Sequence, residues 1–219
     1  MTRSIFITAT DTDAGKTWVT TSLIHSMLEA GIQAKALKPV ACGLDSEGRN
    51  EDISALLTIQ HLQDVEDINL YCFQQPAAPS LAAAAENQNI NPTRLITWCE
   101  ERAEETDVCL IEGVGGLMVP LTDDYLACDW IEDLPEAEVW LVVGCRLGSI
   151  NHALLTLDKL KNMGRSPARI ILNATRPDDN HRLEPTRYAI TPFLTKGCQM
   201  HALNHGSELN FQELPKSVT

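Results

Sequence analysis

Short, continuously apolar runs alternate with longer stretches of helical periodicity along most of this chain. No other feature narrows its possible folds as much. The apolar runs are Ser4–Thr8, Ala34–Val40, Asp107–Ile111, Val139–Val143 and Arg169–Leu172. Between them lie helical patterns over Lys16–Ala30, Asp52–Gln60, Pro92–Glu105 and Ser149–Met163. A strand that is apolar on both faces must be covered on both faces, and helices between successive strands supply the cover. The alternation therefore predicts an α/β fold with an open, doubly wound, mostly parallel sheet between two helical layers. Ala30-Gly31 and Met163-Gly164 have the form of glycine helix stops.

A chain of 219 residues, 44% apolar, suits one α/β domain over residues 1–219 with a full core. The stretch Asn69–Pro92, rich in Ala, Pro, Gln and Asn, is expected to form a loop with a short helix, and Ser207–Thr219 a loose tail. The net charge of −13 leaves no basic face for nucleic acid or for an anionic membrane, so neither is an expected partner. A phosphorylated ligand would need local neutralisation instead. No apolar run reaches the length of a membrane span, and the apolar part of Met1–Thr8 is too short for a signal peptide, so a cytoplasmic location is expected. The seven cysteines include no C-x-x-C pair and are expected as reduced thiols, with Cys109 and Cys145 packed in strands.

In a doubly wound sheet, ligands bind beyond the carboxyl ends of the strands. The first strand runs into Thr10-Asp11-Thr12-Asp13-Ala14-Gly15-Lys16-Thr17, which opens a helix. That is the context of a phosphate-binding P-loop, although Thr10 stands where the pattern has its first glycine. Free N–H groups at the helix start would hold phosphate oxygens, Gly15 would allow close approach, and Lys16 would place a charge on them. Thr17 is a candidate ligand of Mg²⁺, which takes oxygen donors and keeps several waters. Capping of the helix by Thr12 or Asp13 is the alternative.

Glu112 ends the third run and precedes Gly113-Val114-Gly115-Gly116, the place of a metal-binding acid. Asp52 is a second metal candidate, or else a helix cap. Lys38, followed by Pro39, must either snorkel or meet an anion. Gly148, Ser149, Ile150 and Asn151 begin a long helix whose N–H groups could hold a second anion, with capping by Ser149 as the alternative.

Taken in order, Thr10-Asp11-Thr12-x-x-Gly15-Lys16-Thr17, Lys38-Pro39-Val40-Ala41-Cys42-Gly43, Asn50-x-Asp52, Glu112-Gly113-x-Gly115-Gly116 and Leu147-Gly148-Ser149-Ile150-Asn151-His152-Ala153 resemble the dethiobiotin synthetase family over Ile5–Asn173. The resemblance implies a homodimeric enzyme with a P-loop three-layer sandwich. It implies that 7,8-diaminononanoate, CO₂ and MgATP are converted to dethiobiotin, ADP and phosphate in biotin synthesis. By the same resemblance Lys16 and Lys38 are catalytic. Thr12, Asp13, Ala14, Gly15, Lys16, Thr17, Glu112, Gly113, Gly115 and Asn173 bind the nucleotide, with Asn173 at the adenine. Thr12, Lys38, Cys42 and Gly148–Asn151 bind the substrate, and Thr17, Asp52 and Glu112 hold Mg²⁺.

The chain departs from the family pattern at Ala9 (usually Gly), Cys42 (usually Ser) and Arg146 (commonly Lys). Pro192-Phe193-Leu194-Thr195-Lys196-Gly197-Cys198 also replaces the usual Leu-Gly-x-x-Pro turn of the base-holding region. Two rival readings are another P-loop ATP-dependent ligase and a nucleotide-switched ATPase acting through partners.

Overall fold

A computed structural model describes residues 2–214. β1 (Arg3–Ala9) lies inside a six-stranded parallel sheet with β2 (Ala34–Leu37), β5 (Val108–Glu112), β6 (Glu138–Gly144), β7 (Arg169–Asn173) and β8 (Gln199–Leu203), in the order β2-β5-β1-β6-β7-β8. The register sets Ile7 beside Glu112 and Ala9 beside Val142, and β6 brings Gly144 level with Asn173. These strand ends share one rim. β1 pairs with β5 on one side and β6 on the other; the chain first builds the β2–β5 side and then crosses β1 to β6, so the end of β1 lies at the switch point of the sheet.

The helices α1 (Lys16–Glu29), α2 (Glu51–Gln60), α3 (Pro79–Ala85), α4 (Pro92–Glu104), α5 (Ala127–Glu132), α6 (Ser149–Asn162) and α7 (Leu183–Ile190) complete the order of elements. Alternate strand residues feed cores on opposite faces of the sheet. Trp140 and Val142 of β6 join Leu23, Met27 and Trp130 in the larger core. Leu141 and Val143 join Ile170, Leu172, Leu157 and Leu183 in the smaller one. This is the two-residue period of a strand covered on both sides. Phe6 and Trp130 meet edge to face at 4.9 Å beneath the site.

The expected strand Ala34–Val40 breaks at Lys38-Pro39. Pro39 has no N–H to give to a ladder. The Lys38 N–H donates to the Ile68 carbonyl (2.8 Å), and Asn69 Nδ2 donates to the Lys38 carbonyl (2.6 Å). The chain therefore leaves the sheet and continues as β3 (Val40–Cys42), paired in parallel with β4 (Tyr71–Phe73). The break leaves Lys38 at the rim.

β8 was not anticipated by the pattern of apolar runs. It is an edge strand, and four of its five residues, Gln199, Met200, His201 and Ala202, are only partly buried or exposed. Such a strand needs no continuous apolar run. The segment after it, not Pro192–Cys198, reaches the rim; Thr191–Phe193 forms a short 3₁₀ turn before β8. Ser207 to Leu214, the start of the expected tail, lies on α1 with Leu209 and Leu214 buried, and the Phe211 N–H donates to Ser26 Oγ (3.0 Å). The remainder, 215–219, lies outside the described residues. Among the described residues no helix is long and apolar enough to cross a membrane.

Candidate active site

A cavity of about 790 Å³ opens on the rim, lined by the segments that follow β1, β2, β5, β7 and β8. Its phosphate-binding wall is built by the turn from β1 into α1. Ala9 is still strand and does not take a left-handed conformation, so its backbone does not call for glycine. Gly15 caps α1 at φ 91° with no side-chain cap, so neither Thr12 nor Asp13 consumes the first N–H groups of the helix. A Cβ at Gly15 would lie 2.1 Å from Asn173 Nδ2. The position therefore requires glycine for both conformation and space. Asn173 Nδ2 donates to the Ala14 carbonyl (3.0 Å) and pins the turn to the end of β7.

Lys16 is buried, and its Nζ donates to the carbonyls of Gly115 (2.7 Å) and Asp11 (3.5 Å). Burial, reinforced by the charge of Lys38, lowers its pKa to about 8. An anion at this ammonium would offset both effects.

Lys38, 3% exposed, donates to Glu112 Oε1 (2.7 Å) and pairs with Asp52 Oδ2 (2.8 Å). Burial pulls its pKa down, but Glu112 and Asp52 outweigh burial and hold it above the ordinary lysine value. Burial likewise pushes the Asp52 carboxyl up, and Lys38 with Thr17 more than reverses it. Asp52 is free for this because Asn50 caps α2 instead. The Asn50 carboxamide oxygen accepts from the Ile53 N–H (3.1 Å), and its Nδ2 donates to the Gly43 carbonyl (2.8 Å).

The donor set suits a small hard cation. Thr17 Oγ1 lies 2.7 Å from both Asp52 Oδ1 and Glu112 Oε1, yet a hydroxyl has one proton to give. One of the two close oxygen pairs therefore has no hydrogen between them. Glu112 is fully buried and its Oε2 has no hydrogen-bond partner among the described residues. Two carboxylates and a hydroxyl, with waters completing the shell, match what Mg²⁺ accepts.

The structure thus brings Thr12, Asp13, Gly15, Lys16, Thr17, Lys38, Cys42, Asp52, Gly115 and Asn173 onto one cavity. Ala14, Glu112 and Gly113 are buried directly behind it. Gly148, Ser149, Ile150 and Asn151 are not on it. Gly148 caps α6 at φ 93°, without a cap from Ser149, and Ile150 and Asn151 face solvent. Arg146 beside them forms an ion pair with Asp11 of the P-loop, and His152 Nδ1 lies 3.7 Å from the same carboxylate.

Sequence reasoning missed several walls of the cavity: Trp18, Pro76–Pro79, Val114, Val119, Thr175, His205 and Gly206. One signal was available. Gly43 adopts φ 90°, and a Cβ there would lie 3.2 Å from Pro76 Cβ, so the glycine after Cys42 marks the approach of the proline segment.

Comparison with known proteins identifies the family and the fold. An AAA domain family model matches residues 3–197. The ATP-dependent dethiobiotin synthetase BioD of Aromatoleum aromaticum is 39% identical over 179 residues, covering 80% of this chain and 79% of its own. The dethiobiotin synthetase of Vibrio vulnificus is 37% identical over 190 residues, covering 84% and 82% of the two chains. Among solved structures, a ParA family ATPase from Chlorobium tepidum aligns with TM-score 0.53 at 17% identity, over 91% of this chain and 85% of that one. The septum site-determining protein MinD of Pyrococcus horikoshii, complexed with Mg-ADP, aligns with TM-score 0.51 at 19% identity, over 86% and 77%. Those two share the P-loop fold alone. The sequence relatives are far closer, and by them the chain belongs to the ATP-dependent dethiobiotin synthetase family.

Proposed function

We propose that this protein carboxylates 7,8-diaminononanoate with CO₂ and closes the ureido ring of dethiobiotin at the expense of ATP. The observation that carries this reading is the cluster of Lys38, Asp52, Glu112 and Thr17 beside Lys16, in a chain 39% identical to a dethiobiotin synthetase.

One substrate amine adds to CO₂ and loses a proton, giving a carbamate. A carbamate oxygen attacks the γ-phosphorus and ADP leaves, forming a carbamic–phosphoric anhydride. The second amine attacks the carbonyl carbon, the ring closes and phosphate departs. The carbamate is already a nucleophile, so positioning and charge neutralisation dominate catalysis. The uncapped N–H groups from Gly15 onward hold the β- and γ-phosphates, and Lys16 exchanges the Gly115 carbonyl for phosphate oxygens. Lys38, fixed by two carboxylates, spans carbamate and γ-phosphate. Thr17, Asp52 and Glu112 would hold Mg²⁺, which would supply neutralisation of the triphosphate charge. Cys42 and Thr12 line the diamine end, and Asn173 meets the base.

The substrate carboxylate is received by Gly148–Asn151 of a second copy. Leu147 (88% exposed) and Leu155 (63% exposed) border this helix start and supply an apolar surface for pairing. Its partners are then small molecules and its own copy, with no nucleic acid or membrane, and its location is the cytoplasm.

The test is a reaction with 7,8-diaminononanoate, bicarbonate and MgATP, following dethiobiotin and ADP together. Equal formation of both, dependent on the diamine, is expected. ADP formed without dethiobiotin would point to another P-loop ligase or a switch ATPase.

A further inference from the structure

Trp18 has no place in the motifs discussed above, and its environment is unusual. It stands in the first turn of α1, immediately after Thr17, and is 45% exposed. It is the only tryptophan on the cavity wall: Trp130 and Trp140 are fully buried, and Trp98 lies under Arg102 on α4. The indole is tethered at its nitrogen. Its Nε1–H donates to the Ser207 carbonyl at 2.8 Å. The loop carrying Ser207 is itself pinned, because the His205 N–H donates to Asn180 Oδ1 (2.8 Å) and the Ser207 N–H to the Asn204 carbonyl (3.0 Å).

With its only polar hydrogen engaged, the indole can offer a ligand nothing but its π surface. Trp18 lines the cavity together with Asn173, Thr175, His205 and Gly206, and its bond to Ser207 sets it beside the His205–Gly206 wall. A planar, weakly polar group attached to a triphosphate would meet it.

We infer that Trp18 is the stacking surface for the nucleotide base. This rests on the reading of the cavity as a nucleoside triphosphate site. Stacking on an aromatic ring is tolerant of base identity, since every base has a π face. Trp18 therefore supplies affinity for any base, and discrimination falls to the Asn173 side chain. The Pro192–Cys198 departure from the family pattern then bears little on base binding, because the wall is made by Trp18 and the loop after β8.

The test compares MgADP, which carries a base, with tripolyphosphate, which does not. Trp18→Ala should weaken MgADP binding by about 5- to 150-fold, the range of a lost base–aromatic stack. It should leave tripolyphosphate binding unchanged, because that ligand has no base to stack. In the wild type, MgADP should quench part of the tryptophan emission. Trp18→Phe should retain most of the affinity and lose the quench. Trp18→Ala binding MgADP as the wild type does would overturn the inference. So would an equal loss of tripolyphosphate affinity, which would make Trp18 a prop for the loop. A wild type that binds MgADP with quenching but forms no dethiobiotin would support Trp18 while removing the proposed substrate. Binding of tripolyphosphate but not MgADP would sink the stacking role and leave the P-loop standing.

Discussion

Two helices of this protein begin in the same way and come to different ends. α1 starts from Gly15 at φ 91° and α6 from Gly148 at φ 93°, and neither has a side-chain cap. Locally each is an anion-ready helix N-terminus. What differs is the surrounding fold. Around Gly15 the fold gathers Asn173, Lys16, Lys38 and the two carboxylates paired with Lys38, and a Cβ would strike Asn173 at 2.1 Å. Around Gly148 a Cβ would meet nothing within 4 Å. The first helix start is enclosed by its own chain. The second is open, as a half-site completed by another copy would be.

The comparison is tested most severely at the enclosed end. Lys16→Ala or Lys38→Ala should each lower kcat/KM by about 10²–10³, as for the loss of one preorganised transition-state donor. Gly15→Ala should abolish MgADP binding, because strain at positive φ is compounded by the clash with Asn173. Wild-type steady-state kinetics in the lysine variants, or normal MgADP titration of Gly15→Ala, would show that this helix start is not the phosphate site.

A smaller effect is expected where α6 meets solvent. If two copies pair through this face as proposed, Leu155→Asp should prevent it, seen as a halved mass in sedimentation or light scattering. If the partner's helix start holds the substrate carboxylate, KM for the diamine should rise about tenfold or more, the worth of one charge-assisted hydrogen bond, with MgADP affinity preserved. Unchanged diamine kinetics in a monomeric variant would make α6 a bystander. Gly148→Ala isolates the backbone term. With open space around it, it should cost only about 1–2 kcal/mol of left-handed strain, read as a Tm lower by several degrees.

The same contrast explains how much of the site was legible in the sequence. Residues that do chemistry on a short stretch of backbone, such as Gly15-Lys16-Thr17 and Glu112-Gly113, carry their signature locally, and the alternation of runs located the strand ends beneath them. Lys38 was legible too, but its setting was not. A run from Ala34 to Val40 gives no sign that Pro39 turns the chain out of the sheet. The remaining walls come from residues whose role exists only in three dimensions. Trp18 and Pro76 look like ordinary helix and loop residues until Ser207 and Gly43 are brought against them. β8 was hidden for a related reason, since an edge strand half in solvent lacks the apolar run that betrays a buried one.

The last and smallest effect belongs to the opposite rim of the sheet, and it separates stability from chemistry. Arg3 Nε and Nη2 donate to Glu138 Oε1 (2.8 Å) and Oε2 (3.0 Å), joining the beginnings of β1 and β6. Burial pushes the Glu138 carboxyl up, but the Arg3 bonds and charge more than reverse it and hold it below the ordinary carboxylate value. A carboxyl depressed by folding stabilises the native state above its unfolded pKa, and that contribution disappears as pH falls through its folded pKa. Both groups are about one-third exposed, so the pair is worth no more than about 1 kcal/mol. Glu138→Gln should therefore lower Tm by a few degrees at neutral pH. The gap to the wild type should close as pH falls below the carboxylate range, and kcat at neutral pH should be unaltered. A Tm difference that persists into acid would mean that packing around Trp140, which also donates Nε1–H to Glu138 Oε2 (3.3 Å), dominates over the charge pair.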